Sequence, residues 1–101
     1  MEYNDYLKNM EILFNLLENN RLKKNSYIKT SRSVFIENNV KVISHVIIFD
    51  LTTFSIEKKI DNNNIISYVY YADSRIYFID DVIKEVKNEI NQRDKRLNKL
   101  I

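Results

Sequence analysis

The chain contains neither glycine nor proline, and that double absence limits its turns and its chemistry more than any other feature. Glycine is the usual residue at positive φ, and proline the usual breaker of helices and strands. Asparagine is the next residue to tolerate the left-handed region, and the chain has 14 of them. One local pattern of apolar, acid, Asn, Asn occurs three times, at Leu17-Glu18-Asn19-Asn20, Ile36-Glu37-Asn38-Asn39 and Ile60-Asp61-Asn62-Asn63. The flanking periodicities differ, so these are expected to be three element endings rather than a repeat. Without glycine there is no P-loop, no G-x-G-x-x-G dinucleotide turn, no EF-hand loop and no nucleophile elbow.

Between the breaks, the apolar spacing changes from helical to extended and back. Tyr3, Tyr6, Leu7, Met10, Leu13, Phe14 and Leu17 recur at three- and four-residue steps, widened by Ile12 and Leu16. That stripe predicts an amphipathic helix over 3–24, with Arg21, Lys23 and Lys24 at the negative end of its dipole. Residues 27–37 and 40–51 read as strands joined by a two-residue turn at Asn38-Asn39. The second is apolar on both faces, as a central strand should be. Strands over 53–60 and 65–72 follow, then a turn at Asp73-Ser74-Arg75 and a short extended piece at 76–78. Ile79, Ile83, Val86, Ile90, Leu97 and Leu100 predict a closing helix over 79–100, acidic at its start and basic near its end. The expected fold is α+β in the order α-β-β-β-β-α: a four-stranded antiparallel meander with both helices on one face. At 101 residues, with no linker-like stretch, residues 1–101 read as a single domain.

Composition removes further function classes. With no cysteine and one histidine, His45, a disulfide framework, a thiolate metal site and a histidine cluster are excluded, and no cofactor is expected. His45 lies among Ile43, Ile47 and Phe49, where a lone histidine is expected to sit at the core edge and hydrogen-bond locally. The N-terminus lacks a basic segment followed by an apolar run, and Val46-Ile47-Ile48-Phe49 is the longest apolar run without tyrosine. No membrane association is therefore expected, and a cytoplasm, the cell's own or a host's, is the expected compartment. The net charge of +2 is too small to imply a nucleic-acid partner by itself. Ile, Asn, Lys and Tyr, all with AT-rich codons, supply 47 of the residues, which points to an AT-rich genome.

Three sets of residues invite a functional reading. Tyr68, Tyr70, Tyr71 and Tyr77 form the densest aromatic group, and tyrosine is enriched at protein interfaces. With Asp73, Asp80 and Asp81 they are the expected interface to a protein partner. The acids of residues 50–81 (Asp50, Asp61, Asp73, Asp80, Asp81) are suited to imitate nucleic acid towards a basic target. In the closing helix Ile90, Arg93, Leu97, Leu100 and Ile101 extend past the reach of a small sheet, and pairing with a second copy is expected there. Lys23, Lys24, Tyr27, Lys29, Arg32 and Lys41 around the first hairpin are the basis of an alternative, nucleic-acid-binding reading.

Two family resemblances bear on the alternatives. Asp50 followed by Glu57-Lys58-Lys59 resembles the D…E-x-K pattern of restriction-endonuclease-like nucleases, which implies two carboxylates on a Mg²⁺ and a lysine near the attacked phosphate. The usual proline before the aspartate is missing and the spacing is shorter. The element order is similar to that of the double-stranded RNA-binding domain, but Asp80 and Asp81 stand where that family opens its second helix with lysines. The expected function is therefore a non-enzymatic protein-binding module, such as a viral or mobile-element inhibitor of a host defence protein or a toxin-immunity protein. A nucleic-acid-binding regulator comes second, and a metal-dependent nuclease third.

Overall fold

In the computed structural model the described residues are 3–20, 22, 27–49, 51–72 and 79–99, with side chains described for all of these except 3, 4, 49 and 92–99. Helix α1 (Tyr3–Asn19) leads into strands β1 (Lys29–Glu37), β2 (Val40–Phe49), β3 (Thr52–Ile60) and β4 (Ile66–Ala72), and helix α2 (Ile79–Lys99) closes the chain. The strands form one antiparallel sheet in the order β1-β2-β3-β4. This is the α+β meander that the periodicities predict. No helix among the described residues is long and apolar enough to cross a membrane.

Asparagine does take over where glycine is missing. Asn38 and Asn39 have φ of 53° and 65°, the two left-handed residues of a type I′ hairpin turn. Asn64 has φ 61° in the β3–β4 turn. Asp61 holds that turn, its Oδ1 accepting from the backbone N–H of Asn63 at 2.8 Å and of Ile65 at 3.0 Å. At the end of α1 the Asn20 amide donates to the Leu16 carbonyl at 2.9 Å, satisfying one of the terminal C=O groups. The helix stops there, short of the expected 24, and its last turn contains no basic residue.

A second departure is at the β2–β3 connection. The apolar pattern predicts a strand through Leu51, but β2 ends at Phe49, which pairs with Thr52. Leu51 is a turn residue with φ 58° and full exposure. A leucine in this region costs roughly 1–2 kcal/mol in Cβ–carbonyl crowding, a cost the tight connection imposes and apolar periodicity does not register.

Both helices lie on one face of the sheet. The buried cluster joins Met10, Leu13, Phe14 and Leu17 of α1, Ile79, Val82, Ile83 and Val86 of α2, and Ile28, Ile47, Phe54 and Ile56 from the sheet side. The cross-strand register puts Thr30, Ile47, Phe54 and Ala72 in one row and Arg32, His45, Ile56 and Tyr70 in the next, all on the helix side. Helix α1 contacts β3, β4 and α2, while every residue of β1 is exposed.

Candidate functional site

The described residues offer two features beyond the core: a polar cleft between α1 and the β1–β2 hairpin, and the sheet face opposite the helices. The cleft, of about 520 Å³, is lined by Leu17, Glu18, Leu22, Thr30, Arg32 and His45 among others. Glu18 occupies the last turn of α1, one residue past buried Leu17, so it reaches the sheet at the rim of the core. Its Oε1 accepts from His45 Nε2 at 2.8 Å. A carboxylate only accepts, so Nε2 carries the ring proton. Arg32 Nε donates to the same oxygen and Nη2 to Oε2, a two-pronged grip.

His45 is 3% exposed, with its ring 5.2 Å from that of Phe14 at 75°. Burial lowers its pKa below the ordinary 6.5, and the Glu18 hydrogen bond and charge oppose that shift without overcoming it. The Arg32 hydrogen bond, helped by His45, holds the Glu18 carboxyl below its ordinary value. Chemically, this arrangement is a clamp. Both carboxylate oxygens and the histidine N–H are spent on one another, leaving no Nε2 lone pair to take a substrate proton.

The histidine is thus held at the core edge as its surroundings in sequence suggest, but its partner was not legible. Glu18 lies 27 residues away and reads locally as part of an Asn-rich helix ending. The usable signal was the histidine itself, since a buried ring N–H needs an acceptor.

The tyrosines divide by strand alternation. Tyr68 and Tyr70 were expected at the interface, but both turn to the helices. Tyr68 packs on the Phe14 ring at 5.7 Å and Tyr70 stacks with Phe54 at 6.4 Å, so both belong with the core. The reason is register: they share a face with Phe54 and Ile56. The Tyr70 hydroxyl is buried with no hydrogen-bond partner, and burial pushes its pKa well above the usual tyrosine range. Tyr70→Phe is therefore expected to leave thermal stability unchanged or raise it, as calorimetry would show, because it removes a desolvated group and keeps the ring. Tyr71 lies on the opposite face and is 50% exposed. Tyr77 and Asp73 fall outside the described residues. Asp80 and Asp81 are exposed at the start of α2, and the charge of Asp81 reaches Tyr70. Asp61 caps its own turn beyond Ile66, roughly 13 Å along β4 from Tyr70.

Among the described residues, the basic set and the nuclease-like pattern are not brought together either. Lys29 pairs with Ile48 and Lys41 with Ile36, which puts them on opposite faces and roughly 23 Å apart along β1. Arg32 is committed to Glu18, Tyr27 is exposed ahead of β1, and Lys23 and Lys24 fall outside the described residues. Glu57 and Lys59 share the open face of β3, but Glu57 faces Ser44 and Val69, not a second carboxylate. Asp50 lies outside the described residues, among which no three acidic or histidine side chains gather to hold a metal. Ile90 packs against the core cluster, while the side chains of Arg93, Leu97, Leu100 and Ile101 lie outside those described.

The second feature is the open face. On β2 it carries Val40, Val42, Val46 and Ile48, interrupted only by Ser44. Phe35 flanks Val42 on one side, and Val69 and Tyr71 lie across β3. Ser31, Ser33, Thr53, Ser55 and Ser67 share the rows with them, and Val42 and Ser44 are themselves buried. No family model, curated protein or solved structure matches the chain.

Proposed function

We propose that this chain is a protein-binding module that docks a partner protein on the open face of its sheet. One observation carries the reading: the central strand β2 is apolar on both faces, yet the helices cover only one of them. A one-sided antiparallel sheet ordinarily alternates apolar and polar along each strand. Here Val40, Val46 and Ile48 take outward positions where polar residues are usual and keep part of their surface exposed, half-exposed Phe35 and Tyr71 flank them, and Val42 on the same face is buried. Aromatic anchors among aliphatic side chains, with Lys29, Glu37 and Lys59 towards the ends of the strands and Glu57 between Ser44 and Val69, have the mixed apolar and polar composition of an interface. An inhibitor or an immunity protein acts through such a surface without chemistry of its own.

A photo-crosslinking residue at position 71, introduced into the protein in its native cell, is expected to capture one protein species. The same residue at exposed Lys87 on α2 is expected to capture none, and Ile48→Lys is expected to abolish the adduct while preserving the circular dichroism spectrum. Equal capture from both positions would overturn the proposal. So would the lack of any adduct together with a DNA or RNA affinity that falls steeply with salt, which favours the nucleic-acid reading.

A further inference from the structure

We infer that two copies of this chain pair edge to edge through β1, antiparallel and centred on Ser33, to make one continuous eight-stranded sheet. β1 is the outer strand of the sheet. It is nine residues long, exposed throughout, and paired with β2 without a bulge from Lys29↔Ile48 to Glu37↔Val40. Exposed edges are ordinarily blunted by proline, a bulge, an inward charge or brevity; β1 has no proline and no bulge, and its one inward charge, Arg32, is paired with Glu18.

The phase of the free edge follows from the hairpin. In a type I′ two-residue turn the flanking residues, here Glu37 and Val40, form a hydrogen-bonded pair. Odd-numbered residues of β1 therefore spend their N–H and C=O groups on β2. Thr30, Arg32, Val34 and Ile36 turn theirs outward, each offering a donor and an acceptor.

A two-fold axis through Ser33, perpendicular to the sheet, brings those four residues opposite one another. Thr30 meets the partner's Ile36 and Arg32 meets the partner's Val34, so every outward group finds a complement. The same register places Lys29 against the partner's Glu37 at both ends of the ladder. Those are the only charges on β1 apart from Arg32, which Glu18 already neutralises. Opposite charges directly across a strand pair stabilise the pairing and select its register. β4, the other edge, has no charged residue to make such a choice.

Uncovered apolar surface argues for the same register. Val34 and Ile36 point to the helix side but have no helix above them, and are 46% and 77% exposed. In the pair they come beside the partner's Arg32 and Thr30, which line the cleft next to Leu17 and Leu22. The apolar end of each β1 thus borders the cleft of the other copy. The axis keeps both open faces on the same side and so doubles the docking surface proposed above. The pairing does not depend on that proposal, since a monomer has the same open face.

The chain has no native cysteine, so Ser33→Cys tests the axis without background. It is expected to oxidise in air to a disulfide-linked dimer, because each residue 33 faces its own copy. Ser31→Cys is expected to remain unlinked, since it faces the partner's Phe35. Light scattering of the unmodified protein is expected to give twice the 12.2 kDa chain mass. Lys29→Glu and Glu37→Lys are each expected to give monomers, and the two together to restore the dimer, a rescue that a folding defect does not produce. Leu97→Glu in the closing helix is expected to leave the dimer intact. A monomer at millimolar concentration overturns the inference. So does equal crosslinking of Ser31→Cys and Ser33→Cys, or a dimer that Leu97→Glu abolishes and the charge reversals do not.

Discussion

Replacing Phe14 with Ala is expected to remove about 3–5 kcal/mol of folding stability. The ring is 1% exposed and stands where α1 meets the sheet. His45 meets it at 5.2 Å and Tyr68 at 5.7 Å, both edge-on, and the Lys58 ammonium lies 5.5 Å from its centroid. Alanine forfeits the buried apolar area, the aromatic edge contacts and the cation–π contact together. It leaves a cavity among β-strand residues whose backbone ladder cannot collapse to fill it. Domains of this size are stable by roughly 5–15 kcal/mol, so the variant should approach its unfolding midpoint under ordinary conditions. Urea titration measures the loss directly. Phe14→Leu, which keeps much of the volume but not the ring, should fall between the two. A loss below about 1 kcal/mol, the size typical of surface changes, would show that the core is centred elsewhere.

The second large effect is expected at Glu18. Glu18→Ala leaves the buried Nε2–H of His45 without its acceptor, at a cost of about 1–3 kcal/mol. Glu18→Gln keeps an acceptor oxygen and should cost less, but it removes the negative charge that raises the histidine pKa. With one histidine in the chain, a single imidazole resonance in a proton NMR titration reports this. It should titrate below 6.5 in the native protein and lower still in Glu18→Gln.

The clamp also sets the direction of the pH dependence. Both His45 and Glu18 have folded-state pKa values below their ordinary ones. As pH falls, the unfolded chain therefore binds each proton before the folded chain does, and stability decreases. The histidine contribution starts to go as pH drops through 6.5, and the Glu18 contribution as it drops through 4.5. His45→Gln should flatten the upper part of that curve and leave the lower part. An upper part unchanged by His45→Gln would mean that another group titrates there.

How much of this was legible from residues alone depended on the range of the interaction. The helix stripes, the strand alternation and the asparagine turns are set by neighbours within a few positions, where backbone sterics and apolar period act directly. Helix–meander–helix order followed from them, as did a left-handed Asn38-Asn39 turn. Where a strand carries apolar residues on both faces, period two no longer says which face is covered. Residues 40–49 are such a strand, and so is the Tyr68-Val69-Tyr70-Tyr71 run. The register with Phe54 and Ile56 turned Tyr68 and Tyr70 inward and left Tyr71 outside. The Glu18–Arg32–His45 clamp joins residues 14 and 27 positions apart, a pairing visible only once α1 has docked on the hairpin. Local chemistry thus determined which elements form and in what order. Docking decided which side of the sheet became core, because that choice depends on where two helices bury the most apolar surface, a sum over the whole chain that no single segment contains.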